Sequence, residues 1–193
     1  MSLNINVFLE EPDDSIIPIW IDELNKLGMD CKIHPDFSFN DHTGFLPFKI
    51  KVNSNSHEDL MHKEYLTGFE FYMDDFVLSD NVEPPKNRSL IDKLLNKPIE
   101  TSYFVSPEID EKLMSFNKVI TFNWGSSDTF ELRMALLASA TLTKIANGVC
   151  CYPADNIWYN TETVVENSLK EVSDYEKSLK PSEFKLHKFE KWI

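Results

Sequence analysis

Residues 128–145 carry a helical pattern that is apolar on almost every side. The pattern begins at Asp128, includes the small residues Ala135 and Ala138, and is followed by Gly148. A helix at the surface of a domain keeps one polar face, so a helix without such a face has to be surrounded by other elements. Its apolar run is far shorter than the roughly 20 residues of a membrane span. The sequence therefore predicts a helix at the centre of a soluble domain.

The segment FNWGSSDTFE, residues 122–131, leads into that helix and invites comparison with a phosphate-binding loop. Such a loop uses several glycines and, in the Walker version, a lysine, whereas this segment holds one glycine and no lysine. Asp128 and Glu131 also bring negative charge to the helix start, where a phosphate would otherwise bind. We predict a capping box instead, in which Asp128 accepts from a first-turn amide and Glu131 reaches back. No nucleotide or other cofactor is expected.

Residues 45–52 and 68–75 alternate between apolar and polar side chains. In the second segment, Phe69, Phe71 and Met73 share one face, which is typical of a half-buried strand. Two such strands in succession indicate an antiparallel pair. Shorter strand patterns occur at 5–9, 31–34, 118–123 and 149–152, and 157–159 is compatible with one more.

Helices and strands together predict the α+β class. We expect a single domain over residues 1–193, with a mostly antiparallel or mixed sheet of five or six strands packed with about four helices, one central and apolar. Residues 79–88 are polar and proline-rich, which indicates an exposed loop that could join two subdomains. Residues 182–193 fit an edge strand and a docked helix equally well. Helices are predicted to begin near Asp14 or Ser15, Ser106, Asp128 and Thr161.

The chain carries 19 basic and 32 acidic residues, a formal net charge of −13. The first hundred residues hold 9 of the basic and 19 of the acidic residues, and therefore −10 of that charge. A surface this negative repels nucleic acid and anionic membranes, because binding to either depends on lysine and arginine. We therefore expect another protein, and a basic one, as the partner. The first residues lack the features of a secretion signal, which predicts a cytoplasmic location.

Seven acidic and three aromatic residues are the candidates for contact with such a partner. The acids would supply a negative field that attracts a basic surface, and the aromatic side chains would supply anchors. The expected mechanism is steric and electrostatic blockade by a non-enzymatic binding module. The predicted binding residues are Glu10, Glu11, Asp13, Asp14, Glu70, Asp74, Asp75, Trp124, Trp158 and Tyr159.

Two alternative functions stay open at this point. One is an enzyme that acts on a small molecule in a cleft near Trp124 and Tyr152, and the other is an oligomeric structural protein. Local sequence marks no catalytic residue and no metal site. His57 and His62 are five residues apart, a rotation of roughly 140° on a helix, whereas the zinc-protease motif needs both on one face. Three cysteines without a CxxC spacing indicate buried thiols.

Three segments, VITFNWG, ALLASATLTKIANGVCCYP and WYNTETVVE, occur together in the second half of the chain. As a set they resemble the signature of a family of uncharacterised bacterial proteins, in which an F-x-W-G strand precedes an Ala-rich helix and a G-V-x-Y-x-P strand. The earlier GFEFYMDDF is similar to the preceding strand of that family, so the resemblance covers roughly residues 45–175. It implies a small acidic protein of the kind encoded beside secreted toxins, where immunity proteins are found. The function that it implies is an immunity-type inhibitor of a basic effector.

Overall fold

The computed structural model describes residues 3–53, 58–82, 102–125 and 128–186. In these residues one sheet of seven strands runs in the order β2-β3-β4-β5-β1-β6-β7, and every neighbouring pair is antiparallel. The strands are β1 (Leu3–Leu9), β2 (Met29–Ile33), β3 (Gly44–Val52), β4 (Glu64–Asp75), β5 (Lys118–Trp124), β6 (Val149–Tyr152) and β7 (Ile157–Tyr159).

The α+β class predicted from sequence is confirmed, but the sheet has seven strands rather than five or six. Both strands at the sheet edges are short, and β7 has only three residues. Three residues show too little alternation to separate a strand from a turn by pattern alone. Five helices accompany the sheet in the described part of the chain, one more than expected. They are α1 (Ile17–Asn25), α2 (Leu78–Asn81), α3 (Pro107–Leu113), α4 (Thr129–Ile145) and α5 (Val164–Ser178).

Helix α4 lies at the centre of the main core, as its apolar pattern predicts. Fourteen of its seventeen residues are buried, and it contacts β1, β4, β5 and β6 as well as α1 and α5. Ala135 and Ala138 are fully buried, and their small side chains let the helix approach its neighbours closely. From α1, the indole Nε1 of Trp20 donates a hydrogen bond of 2.9 Å to the carbonyl oxygen of Ala138. The main core therefore lies between the sheet and these three helices.

A buried ion pair joins α4 to α5. The Nε and Nη2 atoms of Arg133 each donate to one carboxylate oxygen of Glu176, both at 2.7 Å. Both side chains are almost fully buried, at 4% and 3% exposure. The two-bond geometry matches the planar guanidinium to the carboxylate and compensates part of the cost of removing both charges from water. A charged residue can therefore lie on the buried surface of this apolar helix.

The opposite face of the sheet carries a second and smaller apolar cluster. It includes Phe8, Phe76 and Leu113 of α3, with Trp158 packed against it. Phe8 reaches this face because it alternates along β1 with residues of the main core. Ser106 caps α3 as predicted, since its hydroxyl accepts a first-turn amide hydrogen bond of 3.3 Å. Strand β1 is therefore covered on both faces, by α4 on the side of the main core and by α3 on the other side.

The predicted cap of the first helix is wrong. Asp13, and not Asp14 or Ser15, is the capping residue, and it caps a 3₁₀ turn over Asp14–Ile16 that precedes α1. One carboxylate oxygen of Asp13 accepts from the amide of Ser15 at 2.8 Å. Asp14 instead accepts from the amide of Phe39 at 2.9 Å and so ties a later loop to this turn. The chain enters α1 through the 3₁₀ turn, which moves the cap to an earlier residue.

Several sequence predictions fall partly or wholly outside the described residues. In the predicted loop at 79–88, the first residues belong to the short helix α2, and residues 83–88 lie outside. His57 and residues 187–193 of the tail lie outside as well, while Pro181–Glu183 forms a 3₁₀ turn. Among the helices of the described ranges, none combines the length and the apolar character that are needed to cross a bilayer.

Candidate functional site

Two of the predicted binding residues, Glu70 and Trp124, line the same cavity. The cavity has a volume of about 340 Å³ and lies where β5 ends and the chain turns towards α4. We refer to it as the Trp124 cavity. Its lining in the described residues consists of Phe45, Phe69, Glu70, Asn123, Trp124, Gly125 and Glu131.

The register of three neighbouring strands brings one aromatic and two polar side chains of this lining together. Phe45 of β3 lies opposite Glu70 of β4, and Glu70 lies opposite Asn123 of β5. Residues directly opposite each other in antiparallel strands point to the same face, so these three side chains form one row across the sheet. Phe69 and Trp124 are their neighbours along the strands and point to the other face. The cavity therefore lies around the end of β5.

Gly68 sets the position of the Phe45 ring. A Cβ atom at Gly68 would lie 2.2 Å from the carbonyl oxygen of Leu46 and 2.7 Å from Cζ of Phe45. Both distances are far below van der Waals contact, so the ring lies where a side chain of β4 would otherwise be. Phe45 nevertheless keeps 38% of its surface exposed. An aromatic ring is therefore held beside the cavity with one part in solvent.

Two carboxylates occupy the start of α4. The Asp128 carboxylate accepts from the amide of Phe130 at 2.7 Å, which confirms the predicted cap. The other half of the predicted capping box is wrong: Oε2 of Glu131 accepts from the amide of Gly125, three residues before the cap, at 2.9 Å. Both acids are buried, and Glu131 is only 8% exposed. Carboxylates of the protein itself thus satisfy the positive end of this helix.

Glu70 is exposed, yet its carboxylate is held in place. The hydroxyl of Tyr72, on the same face of β4, donates to Oε2 of Glu70 at 3.0 Å. This hydrogen bond to the carboxylate raises the pKa of the Tyr72 phenol above its ordinary value. The carboxylate of Glu70 is therefore oriented before any ligand arrives.

Four other predicted acids meet at the opposite end of the sheet. Strands β1 and β4 both run antiparallel to β5, which lies between them. The last residues of β1 and β4 therefore lie at the same end of these strands, beside the start of β5. Glu10 and Glu11 follow β1, and Asp74 and Asp75 end β4. All four residues are exposed. We call this set, Glu10, Glu11, Asp74 and Asp75, the acidic edge.

Lys118 lies among the carboxylates of the acidic edge. Its ammonium group is 2.7 Å from Oδ1 of Asp75 and 3.9 Å from Oε1 of Glu11. The hydrogen bond to Lys118 lowers the pKa of Asp75, and the same bond raises the pKa of Lys118. The four carboxylates and the Lys118 ammonium together carry three negative charges, and the Lys112 ammonium lies beside Glu10. A second cavity of about 330 Å³ adjoins Glu10.

The remaining predicted acids, Asp13 and Asp14, have structural hydrogen bonds. Asp13 caps the 3₁₀ turn before α1, and its hydrogen bonds to Ser15 lower the pKa of its carboxyl. Glu70 is four residues from Asp74 along β4, which corresponds to about 13 Å. Four of the seven predicted acids therefore form the acidic edge, Glu70 lies apart from them in the middle of β4, and Asp13 and Asp14 are close in sequence to Glu10 and Glu11.

The predicted aromatic anchors lie apart from one another. Trp158 stacks on Phe8 in the smaller apolar cluster, with a centroid distance of 5.5 Å. Tyr159 points to the other face of β7, where its ring meets Tyr152 edge to face at 5.4 Å. Both side chains are partly buried in packing contacts. Tyr152 is not among the described residues that line the Trp124 cavity, so the two residues of the predicted cleft do not share it.

The chain was compared with protein-family models, curated proteins and solved structures. None of them matches it. The resemblance to the F-x-W-G family therefore stays a prediction, and function has to be inferred from the two sites themselves.

The cysteines are buried in the two apolar clusters. Burial raises the pKa of Cys31 and of Cys151 to about 12, and it raises the pKa of Cys150 further. A thiol of this kind stays protonated at neutral pH, and the protonated form is a poor nucleophile. In the described ranges no three histidine, cysteine or acidic side chains form a group that could hold a metal ion.

Sequence reasoning missed Phe45, Asn123 and Glu131 as parts of one site. Their meeting depends on the pairing of β3, β4 and β5, which spans nearly eighty residues of sequence. One local signal was present: Gly68 opens an alternating strand, and a glycine there often marks the close approach of another group. In this structure that group is the Phe45 ring.

Proposed function

We propose that this protein is an acidic binding module for a basic protein. The acidic edge carries the proposal, because four exposed carboxylates are gathered at one end of β1 and β4, where the described residues place two ammonium groups, Lys118 between Glu11 and Asp75 and Lys112 beside Glu10. Exposed charges are desolvated at little cost and act at a distance, so they accelerate the encounter with a partner of opposite charge.

The finer form of the proposal is an immunity-type inhibitor. Such a protein would cover a basic surface of an effector and block it sterically. Support comes from the net charge of −13 and from the resemblance of residues 45–175 to the F-x-W-G family of uncharacterised proteins, which implies a product encoded beside a secreted toxin. The effector would then be the product of a neighbouring gene.

The Trp124 cavity gives some support to the alternative of a small-molecule enzyme. Its described lining offers carboxylates and an amide, but no hydroxyl, thiol, imidazole or amine. Such a lining can orient and bind a ligand but supplies few groups for covalent chemistry. We therefore prefer a binding function for this cavity as well.

A charge-neutralised variant tests the role of the acidic edge. The variant combines Glu10→Gln, Glu11→Gln, Asp74→Asn and Asp75→Asn, and its association with the neighbouring gene product is followed by stopped flow. We expect the association rate constant at low salt to fall about tenfold, because the steering field is lost. In the unaltered protein, added salt should reduce the rate constant in the same way.

A matched control removes four exposed carboxylates elsewhere. Asp155→Asn, Glu162→Gln, Glu166→Gln and Asp174→Asn change the net charge by the same amount at the β6–β7 turn and around α5. This control should associate nearly as fast as the unaltered protein. Equal slowing of both variants, or association that salt does not affect, would refute the proposed function.

A further inference from the structure

We propose that the Trp124 cavity binds a guanidinium group, and that an arginine side chain of the basic partner supplies it. The inference rests on the proposed function and adds a second contact to it, at the end of β5 away from the acidic edge. It is carried by the combination of carboxylate, amide and aromatic groups in one cavity.

The charge of the described lining selects a cation. Glu70 and Glu131 are both acidic, and no basic side chain belongs to this part of the lining. Glu70 is the direct acceptor, because it is exposed and the Tyr72 hydroxyl fixes its orientation. Glu131 adds negative potential from the buried wall, where it accepts from the Gly125 amide. An anionic ligand would meet repulsion from both sides.

The aromatic groups favour guanidinium over ammonium. Phe45 and Trp124 both line the cavity, and the absence of a side chain at Gly68 leaves room for the Phe45 ring. A guanidinium group is planar, stacks on aromatic faces and presents a fork of N–H donors to a carboxylate. An ammonium group is a compact and strongly hydrated charge, so it gains less from the rings. The cavity therefore suits the end of an arginine side chain.

Asn123 completes the set of acceptors. It lies directly opposite Glu70 in the β4–β5 ladder, which places the two Cβ atoms about 5 Å apart. Its amide oxygen can accept from one edge of a guanidinium group while the Glu70 carboxylate accepts from another. The volume of about 340 Å³ is near the lower limit for ligand sites and is suited to one long side chain.

The cavity is open to a group that projects from another protein. Phe45 is 38% exposed and Glu70 is exposed, so the row that they form lies at the mouth of the cavity. Asn123, the third member of the row, is partly buried. Trp124, at the end of β5, is partly buried as well. A side chain that enters from solvent would reach the exposed carboxylate first and then the partly buried groups.

Peptide titrations of the full, ¹⁵N-labelled chain test the inference. The probe is an N-acetylated, C-amidated tripeptide with arginine between two glycines, and a citrulline counterpart supplies the same shape without charge. We expect saturable shifts of the Gly125 amide, the Asn123 side-chain amide and the Trp124 indole with the arginine peptide. A lysine counterpart should bind more weakly, and binding of citrulline equal to that of arginine would overturn the inference.

Two variants separate the cavity from general negative charge. Glu70→Gln should weaken the arginine peptide about tenfold, because the charged acceptor is lost. Glu64→Gln is the matched control: Glu64 lies on the same face of β4, is exposed, and is not one of the described residues of the lining. The control should keep its affinity within about twofold. Equal weakening in both variants would refute a specific site.

Free methylguanidinium distinguishes a small molecule from a protein as the source of the group. The arginine peptide should bind at least as tightly as methylguanidinium. If methylguanidinium binds and the peptide does not, the assignment to a protein partner is overturned. These titrations contain no partner protein. A negative result therefore refutes the cavity inference and leaves the acidic edge to be judged by its own association rates, and the reverse also holds.

Discussion

At the scale of single residues, Gly68 shows how one missing side chain shapes the cavity. Glycine weakens a strand because it has no side chain to pack and loses much conformational freedom on folding. Here the Phe45 ring from the neighbouring strand covers the glycine backbone. The ring also forms one side of the Trp124 cavity. The same contact therefore supports the sheet and positions an aromatic group beside Glu70.

Gly68→Ala should be destabilising, because the new Cβ atom would overlap the Leu46 carbonyl oxygen, which is backbone and moves little. We expect a loss of about 2 kcal/mol in the free energy of unfolding, measured with urea. Gly44→Ala serves for comparison, since Gly44 has a φ of 95° but no atom within 4 Å of a Cβ. That change should cost about 1 kcal/mol through backbone strain and leave arginine-peptide binding intact.

The Gly68 variant should also weaken the arginine peptide, because Phe45 has to move. If Gly68→Ala unfolds no more easily than Gly44→Ala and binds the peptide normally, the close approach of Phe45 is not required.

At the scale of elements, α4 is tied to both neighbouring helices by charged side chains. Arg133 pairs with Glu176 of α5 in the core. Near the other end of α4, Lys144 lies 2.8 Å from Glu23 of α1, which also pairs with Lys26. The first pair is buried and the second lies at the surface. The two should therefore differ in strength and in their response to pH and salt.

Glu176→Gln should cost about 3 kcal/mol in unfolding free energy, because it leaves the Arg133 charge buried without its carboxylate. A double variant, Arg133→Met with Glu176→Leu, should be destabilised less than the single variant, since it removes both charges together. Urea unfolding of the three proteins decides the matter. If the double variant is less stable than Glu176→Gln, the attraction between the two charges stabilises the fold by more than their burial costs.

The Glu23 cluster predicts a pH-dependent contribution. Hydrogen bonds from Lys144 and Lys26 lower the pKa of Glu23 from 4.5 to about 2. A carboxyl with a lowered pKa in the folded state stabilises the fold above its unfolded pKa, and this stabilisation is lost as the pH falls. The difference between the unaltered protein and Glu23→Gln should therefore be present at pH 7 and shrink between about pH 4.5 and 2.

Unfolding midpoints at several pH values, at low ionic strength, measure that difference. Glu166→Gln removes an exposed carboxylate of α5 with the same change of net charge. Its effect should vary less with pH over this range. A Glu23 effect that does not change with pH, or that matches Glu166→Gln, would contradict the assignment.

At the scale of the whole molecule, one sheet joins the two parts of the chain that flank residues 79–88. Strands β2, β3 and β4 come from the first part, β5, β6 and β7 from the second, and β1 lies between β5 and β6. A single domain should unfold in one step, whereas two subdomains would separate near β4 and β5. The buried cysteines report on both sides, since Cys31 lies in β2 and Cys150 and Cys151 lie in β6.

All three thiols should become reactive over the same range of urea concentration. Each is buried and protonated in the fold, so labelling by a thiol reagent requires opening. Mass spectrometry after brief labelling assigns the modification to each cysteine. If Cys31 becomes reactive at a lower urea concentration than Cys150, the sheet opens in parts, which contradicts unfolding in one step.

Local periodicity was sufficient to predict the longer elements but not the short ones, nor how the elements are arranged. The α4 pattern and the alternation of 68–75 predicted a central helix and a strand, because burial on each is set by its own side chains. The Trp124 cavity depends instead on which strands are neighbours and on the Phe45–Glu70 register, and neither follows from one segment alone. The acidic residues were visible as a charge excess, but only the order β4-β5-β1 brings Glu10 and Glu11 near Asp74 and Asp75 and leaves Glu70 apart.

The central position of β1 has a consequence for synthesis. Its partner β5 ends at Trp124, more than a hundred residues later, so at about 5–20 residues per second the strand waits several seconds or longer for it. During that time Val7, Phe8 and Leu9 have neither neighbouring strand in place, and both hydrogen-bonding edges are open to other nascent chains. We therefore expect the yield of folded protein to depend on protection of this strand until β5 and β6 have been made.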